Sequence, residues 1–436
     1  MLASRWPIHL PMKKLYLLVI LAFSVKPMMA QSDDYQQFFT RECLRVDYEL
    51  VGNRSSETAV LKQLKCQGEW AGPQRINTEA AQMGNYRYSV IDSATGKLLY
   101  SNGFSSLFNE WQQSPEATTA TASFYHVNLV PYPKQTVVFR LERANYDKPG
   151  HSLIAEFTIN PDSKFIRRES CKPLKHTTIQ GGGSVADKID IAFLAEGYTA
   201  DQMDKFRADA ARFWEYMTAV EPYSSHKNRF NVYAVESPSA ESGTDIPVKG
   251  IYRNTAMNFT FSTFDVDRYL TTFDMQAVHD IAAAVPYEHI IILVNTNEYG
   301  GGGFYNFYCA GTADHALSLR VMVHEFGHSF AGLADEYFYA DEANEQMYSL
   351  LREPWEPNIT TLVDFDSKWK AMLDAETPVP TPRTESYLDK VGVFEGGGYQ
   401  SKGIYSPVQD CIMRSNTPKS FCPVCHKAIL RAILGE

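Results

Sequence analysis

Near Cys171 the residue pattern changes period, and that change limits the fold more than any other feature of the chain. From about residue 44 to 166, short runs are separated by turn residues. Runs at 86–91 and 97–100 flank the hairpin loop Asp92-Ser93-Ala94-Thr95-Gly96, and further runs at 123–130, 136–141 and 153–159 are punctuated by Pro131, Pro133, Lys148-Pro149-Gly150 and Asn160-Pro161-Asp162. Short strands at this spacing predict an antiparallel β-sandwich, a unit more often a spacer or docking module than a catalyst. Beyond Gly181-Gly182-Gly183-Ser184 the texture becomes α/β. An apolar strand at 189–194 breaks at Gly197-Tyr198-Thr199, Met203, Phe206, Ala210, Phe213 and Met217 recur at helical spacing, and 231–235 and 289–294 read as buried strands. Alternating strands and helices predict a mixed sheet with helices on its faces. The expectation is a multidomain chain, with a sandwich over 31–168 and an α/β domain over 169–436.

The first 30 residues stand apart. Lys13 and Lys14 precede an apolar run at 15–25, and Ala30 closes the segment before polar Gln31-Ser32-Asp33-Asp34, the layout of a secretory signal peptide. The run is shorter than the roughly 20 residues that span a bilayer, and no later run reaches that length, so no transmembrane segment is expected. Removing 1–30 deletes Arg5, Lys13, Lys14 and Lys26 but no acid, which moves the formal charge from −10 to −14. An acidic chain without a basic patch argues against nucleic acid as a partner. An exported chain, whether secreted, periplasmic or surface-bound, also lets its seven cysteines form disulfides, with at least one left over. No feature specifies an oligomeric state.

Chemistry concentrates in His324-Glu325-Phe326-Gly327-His328. Apolar Leu317, Val321, Phe326 and Phe330 give 314–331 a helical buried side, so His324 and His328, at i and i+4, share one face and can bind one metal ion. Glu325 sits about 100° around the helix, within reach of a metal-bound water without being a ligand. That division of labour suits zinc (Zn2+) hydrolysis, with Glu325 as general acid/base. Gly332 supplies the helix stop, and Asp335 three residues later is the leading third ligand; Glu336 is its nearest competitor, and Glu342 or Glu345 would serve from a later helix. The layout resembles the metzincin motif, with the glycine shifted by one residue and Asp in place of the third His. Met413, in Asp410-Cys411-Ile412-Met413-Arg414, fits a Met-turn under the metal. Tyr337, Tyr399 and Tyr405 are candidate transition-state or substrate contacts. Gly300-Gly301-Gly302-Gly303 lacks the Gly-Lys-Ser/Thr of a phosphate loop, and with 304–307 it suggests an edge strand that pairs with extended substrate. Cys422-Pro423-Val424-Cys425-His426 has the spacing of a c-type haem site, and for a structural zinc site it offers one His, His426. A disulfide from Cys411 to Cys422 or Cys425 would instead staple the Met-turn to a terminal helix at 428–434.

With Gly197-Tyr198-Thr199, the 324–337 segment, Phe394-Glu395-Gly396-Gly397-Gly398-Tyr399 and the Cys411 to Cys425 tail all in view, the mature chain resembles the M64 family of zinc peptidases, also called IgA peptidases. The resemblance implies an N-terminal β-sandwich followed by a metzincin-like metallopeptidase domain acting on protein or peptide substrates. It further implies zinc on His324, His328 and Asp335, with Glu325 as acid/base. The family name points to host or dietary glycoproteins such as immunoglobulin A without assigning that substrate. Two other readings share the motif: an inactive surface binding or adhesion protein, and a zinc amidase acting on cell-wall peptides.

Overall fold

The computed structural model describes residues 30–77, 79–168, 173–338 and 347–435. The expected signal sequence falls outside them apart from Ala30, where helix α1 (Ala30–Phe38) begins. Cys171 is also outside, as are Glu342 and Glu345.

The N-terminal half is β-rich. Two long strands, β1 (Phe39–Gly52) and β2 (Glu57–Glu69), precede those marked by turn residues: β3 (Tyr86–Asp92), β4 (Leu98–Phe104), β5 (Ala122–Pro133), β6 (Val137–Ala144), β7 (His151–Ile159) and the short β8 (Ile166–Arg167). They form two four-stranded sheets, ordered β5-β1-β2-β8 and β4-β3-β6-β7. Pairing is antiparallel throughout except between β2 and β8, where Leu64 meets Ile166 in parallel register. Tyr48 of β1 packs against Phe139 of β6 and Phe157 of β7 with ring centroids 6.3 and 6.5 Å apart, so the two sheets share an aromatic interior. A short helix, α2 (Leu107–Trp111), capped by Ser106, links β4 to β5.

Period two also decides the other face of β1. Leu44, Val46, Tyr48 and Leu50 point inward, which turns Arg45 and Asp47 outward, yet both are fully buried. Arg45 bonds Asp47 through Nε at 2.7 Å and Asp280 through Nη1 at 2.6 Å. Asp280 belongs to α4 (Met275–Ala282) of the C-terminal half. The outer face of this sheet is therefore an internal layer, not the solvated face that a polar alternation suggests.

The C-terminal half is built on a six-stranded sheet, β13-β14-β12-β10-β11-β9, made of β9 (His176–Gln180), β10 (Ile189–Glu196), β11 (Phe230–Val235), β12 (His289–Val294), β13 (Gly301–Phe304) and β14 (Tyr308–Thr312). The four central strands run parallel and the two edges antiparallel, the mixed sheet that the alternation of strands and helices predicts. Alternate residues serve two cores. Ala192, Leu194, Ile290 and Ile292 join α4 and the N-terminal sheets. Ile191, Phe193, Ile291 and Leu293 join α3 (Met203–Met217), α5 (Ser318–Ala331) and α6 (Pro423–Leu434). Continuous apolar strands are what burial on both faces requires. The terminal helix begins at Pro423, five residues before the expected start, because Cys422 caps it and proline suits its first turn. A hairpin, β15 (Phe394–Gly397) and β16 (Gln400–Ser406), completes the described strands.

Candidate metal centre

Helix α5 carries His324, Glu325 and His328 on its cleft side, together with Val321, which the sequence pattern puts on the buried side, while Met322, Phe326 and Phe330 face the core. It ends where Gly332 adopts φ 63°, a left-handed conformation that lets its N–H bond back to Gly327 and His328 carbonyls. A side chain there would also strike Trp355 at 2.6 Å, so glycine is required for conformation and for space. The chain then runs past the helix end in extended fashion. The carbonyls of Asp335 and Tyr337 accept from Gly398 and Tyr399 on one side, and the Glu336 N–H donates to the Met413 carbonyl on the other.

This path sends neighbouring side chains to opposite sides. Asp335 Oδ1 lies 3.1 Å from His324 Nε2 and 3.3 Å from His328 Nε2, and the two Nε2 atoms are 3.0 Å apart. Glu336 points away into the interior, where Asn358 and Cys425 reach its Oε1. The ring tautomers follow from their other partners. His324 Nδ1 contacts the Ile412 carbonyl at 2.9 Å and His328 Nδ1 the Leu333 carbonyl at 2.5 Å. A carbonyl only accepts, so each Nδ1 carries a proton, and in the neutral imidazole that a metal requires each Nε2 is left to present its lone pair to the common point.

The three atoms suit a metal. Bonds of about 2.0–2.2 Å in tetrahedral array place N and O ligands about 3.3–3.5 Å apart, close to the separations here. Asp335 Oδ1 is buried and faces only the two Nε2 atoms, so an ion at the common point would be shared by all three. Without an ion, burial opposes charge on every group. The Asp335 carboxyl nevertheless lies well below its usual range because both imidazoles face it, and burial notwithstanding, Asp335 pushes His328 up to about 9. Glu325 lies within 4.8 Å of both histidines, and desolvation raises its carboxyl above the ordinary value.

Tyr399 donates its hydroxyl to Asp335 Oδ2, and its oxygen stands 3.3 Å from that of Tyr337. Tyr399 reaches there from the two-residue loop between β15 and β16 and holds φ 63°, rare for a residue with a side chain. Tyr337 and Tyr399 line the cleft. Tyr405 does not: it sits on β16, where its backbone pairs with Thr360. Met413 is fully buried with its sulfur against Gly327, between the two histidines, where a β-carbon would lie 2.9 Å from it.

The glycine run forms β13 at the edge of the sheet, beside Glu325. A side chain at Gly303 would meet the Glu325 carbonyl at 2.3 Å, so the strand and helix approach too closely for any other residue. Contrary to the expected open edge, Arg268–Tyr269–Leu270 lies along its outer side, and Leu270 N–H donates to the Gly301 carbonyl.

Cys411, Cys422 and Cys425 are free thiols, with Cys411 Sγ and Cys425 Sγ 3.9 Å apart, nearly twice a disulfide bond. Both thiols of the Cys-x-x-Cys-His segment face inward toward Cys411 and Glu336, so neither is offered to a surface haem, and His426 stands outside the group.

The site opens on a cleft of about 1570 Å³ whose walls come from both halves of the chain. From the N-terminal half, Glu110 and Arg143 line it, and Glu110 accepts a hydrogen bond from the Tyr269 hydroxyl. Burial pushes the Glu110 carboxyl up to about 7 despite that bond. Ser105 N–H to the Tyr305 carbonyl and Asn306 Nδ2 to the Gly103 carbonyl, at 2.9 and 2.8 Å, fasten the two halves at this wall. Nothing in the local pattern around Glu110 marks it, because its place depends on packing between halves.

Residues 177–390 and 383–433 match the family described as IgA Peptidase M64, and 34–154 match the family described as Peptidase M64 N-terminus. The chain belongs to the IgA peptidase M64 family. Comparison with curated proteins one by one returns no match. The M64 assignment makes the chain a peptidase and its substrates proteins or peptides. The N-terminal M64 match includes Glu110, and the main match spans the whole of α5 and the segment through Asp335. Among the described residues no helix is long and apolar enough to cross a membrane.

Proposed function

We propose that the chain is an exported zinc-dependent endopeptidase of metzincin-like design. The observation that carries this reading is the convergence of His324 Nε2, His328 Nε2 and Asp335 Oδ1 at one point on a cleft floor, with Glu325 beside it. A helix ended by glycine, a third donor after the turn and a methionine beneath the histidines all favour it. Three protein donors and an open side suit a catalytic ion, and zinc bound there supplies Lewis acidity toward a water and a peptide carbonyl.

The protein's own residues do the remaining work. The Ile412 and Leu333 carbonyls hold the imidazoles in the tautomer that frees Nε2, and Tyr399 holds Asp335 by its second oxygen. Glu325, whose carboxyl burial raises above its ordinary value, accepts the proton of the attacking water at a carboxylate oxygen and returns it to the leaving amine nitrogen. Tyr399 gives its hydroxyl proton to Asp335, so Tyr337 is the donor in the 3.3 Å contact with the Tyr399 oxygen, and as a cleft-lining phenol it would turn that proton to the substrate oxyanion by exchanging this bond. The cleft size and its two-sided wall favour extended polypeptide over a small molecule.

The test measures zinc per chain and cleavage of a denatured protein and a mixed peptide library, comparing wild type with Glu325→Gln. The expected result is zinc in both proteins and cleavage only by wild type. A zinc-loaded wild type that cuts no peptide overturns the reading in favour of a binding protein, and cleavage confined to cell-wall peptides favours an amidase.

A further inference from the structure

Behind the cleft, on the far side of the segment that carries Asp335, lies a second cluster of metal-ligating side chains. Glu336 Oε and the Sγ atoms of Cys411, Cys422 and Cys425 all lie within 4.8 Å of one another. Three separate stretches supply them: the segment after α5, the turn before Met413 and the first turn of α6. Glu336 and Cys425 are completely buried, Cys411 is 1% exposed and Cys422 6%.

We propose that Glu336, Cys411, Cys422 and Cys425 form a second, closed zinc site that braces the backbone bearing the active-centre residues. Zn–S bonds of about 2.3 Å and a Zn–O bond of about 2.0–2.2 Å place tetrahedral sulfurs about 3.8 Å apart and sulfur and oxygen about 3.5 Å apart. Cys411 Sγ to Cys425 Sγ is 3.9 Å and Cys425 Sγ to Glu336 Oε1 is 3.3 Å. The second oxygen, Glu336 Oε2, is buried with no hydrogen-bond partner, a costly arrangement for a carboxylate unless a cation answers it. Backbone donors already point at the sulfurs: Cys422 N–H to Cys411 Sγ at 3.3 Å and Cys425 N–H to Cys422 Sγ at 3.4 Å, the latter at the N-terminus of α6, where negative charge is favoured. Thiolate donors select a soft or borderline ion such as zinc over calcium or magnesium. Binding one Zn2+ releases the protons of the three thiols to solvent and leaves the protein sulfurs unoxidised. Four protein ligands with no cleft exposure mark a structural site.

The two sites share their supports. Glu336 follows Asp335, its N–H bonds the Met413 carbonyl at 2.8 Å, and the neighbouring Ile412 carbonyl orients His324. An ion joining Glu336 to Cys411 therefore ties together both segments that frame the cleft-side donors. This bracing role rests on the active-centre reading above; the second site itself does not.

Zinc analysis of the full chain distinguishes the two. Wild type is expected to hold two zinc ions, His324→Ala/His328→Ala one, and Cys422→Ser/Cys425→Ser one. One zinc in wild type, lost from the His variant and kept in the Cys variant, overturns the second site and leaves the active centre standing. One zinc kept in the His variant and lost from the Cys variant does the reverse. X-ray absorption on unmutated protein covers the case of a Cys variant that does not fold: a first shell containing sulfur near 2.3 Å supports the site, and a shell of nitrogen and oxygen alone overturns it. Alkylation of unreduced, denatured wild type that finds Cys411 paired with Cys422 or Cys425 also overturns it.

Discussion

In the N-terminal half His126 lies between the rings of Phe104 and Phe307, 4.5 Å from each, with neither nitrogen hydrogen-bonded, whereas in the C-terminal half His324 and His328 each give Nδ1 to a carbonyl and aim Nε2 at Asp335. The first is a wedge of apolar packing between the halves; the others are pre-oriented donors. Burial alone lowers the His126 imidazole to about 3, while the same burial is overcome at His328 by a facing carboxylate. What a buried histidine can do is thus decided by the groups that fix its tautomer and by the charge it faces.

Replacing Glu325 by Gln tests the chemical side of this contrast most severely. Cleavage is expected to fall by about 10²–10⁴-fold with zinc content unchanged, and a loss under tenfold in single-turnover assays would remove Glu325 from its role. On the packing side, His126→Phe changes the response to acid. Folded His126 binds a proton only near 3 and the unfolded chain near 6.5, so between these values the unfolded state holds more protons and stability falls as pH falls. From pH 7 to 4 wild type should lose on the order of 3 kcal/mol more than His126→Phe in denaturant melts. Parallel losses in the two proteins would mean that His126 is solvated or paired.

Tyr399→Phe probes the orienting groups. Metal affinity, measured by competition with a chelator, should weaken about 10–100-fold without loss of fold, and unchanged affinity would show Asp335 needs no such support. The smallest effect is expected at the wall between the halves. Glu110 ionises near 7, so Glu110→Gln should match wild type in KM below that pH and depart from it by a few-fold above. A pH-independent difference would contradict the buried carboxyl bonded to Tyr269.

Much of this was legible in the residue order. The strands from β3 to β7 and the helix α3 announce themselves through local period and turn residues, as does α5, although it starts at Ser318 and not at 314. Arg45 and Asp47 were not legible, since an alternating polar face looks the same whether it meets water or α4. Nor was the covered edge of β13, or the group formed by Glu336 with three thiols from distant stretches.

The sequence by itself determined the helix with histidines one turn apart, the glycine that ends it and the continuous apolar strands. Each depends on interactions within a few residues, where spacing and φ preference act directly. Only the tertiary structure decided that Asp335 and not Glu336 meets the imidazoles, that Tyr399 and not Tyr405 reaches that carboxylate, and that the N-terminal sheets wall the cleft. Those outcomes depend on how an extended segment is pinned between the Met413 carbonyl and the β15–β16 hairpin. A one-residue shift there would exchange the two side chains, and nothing local forbids it.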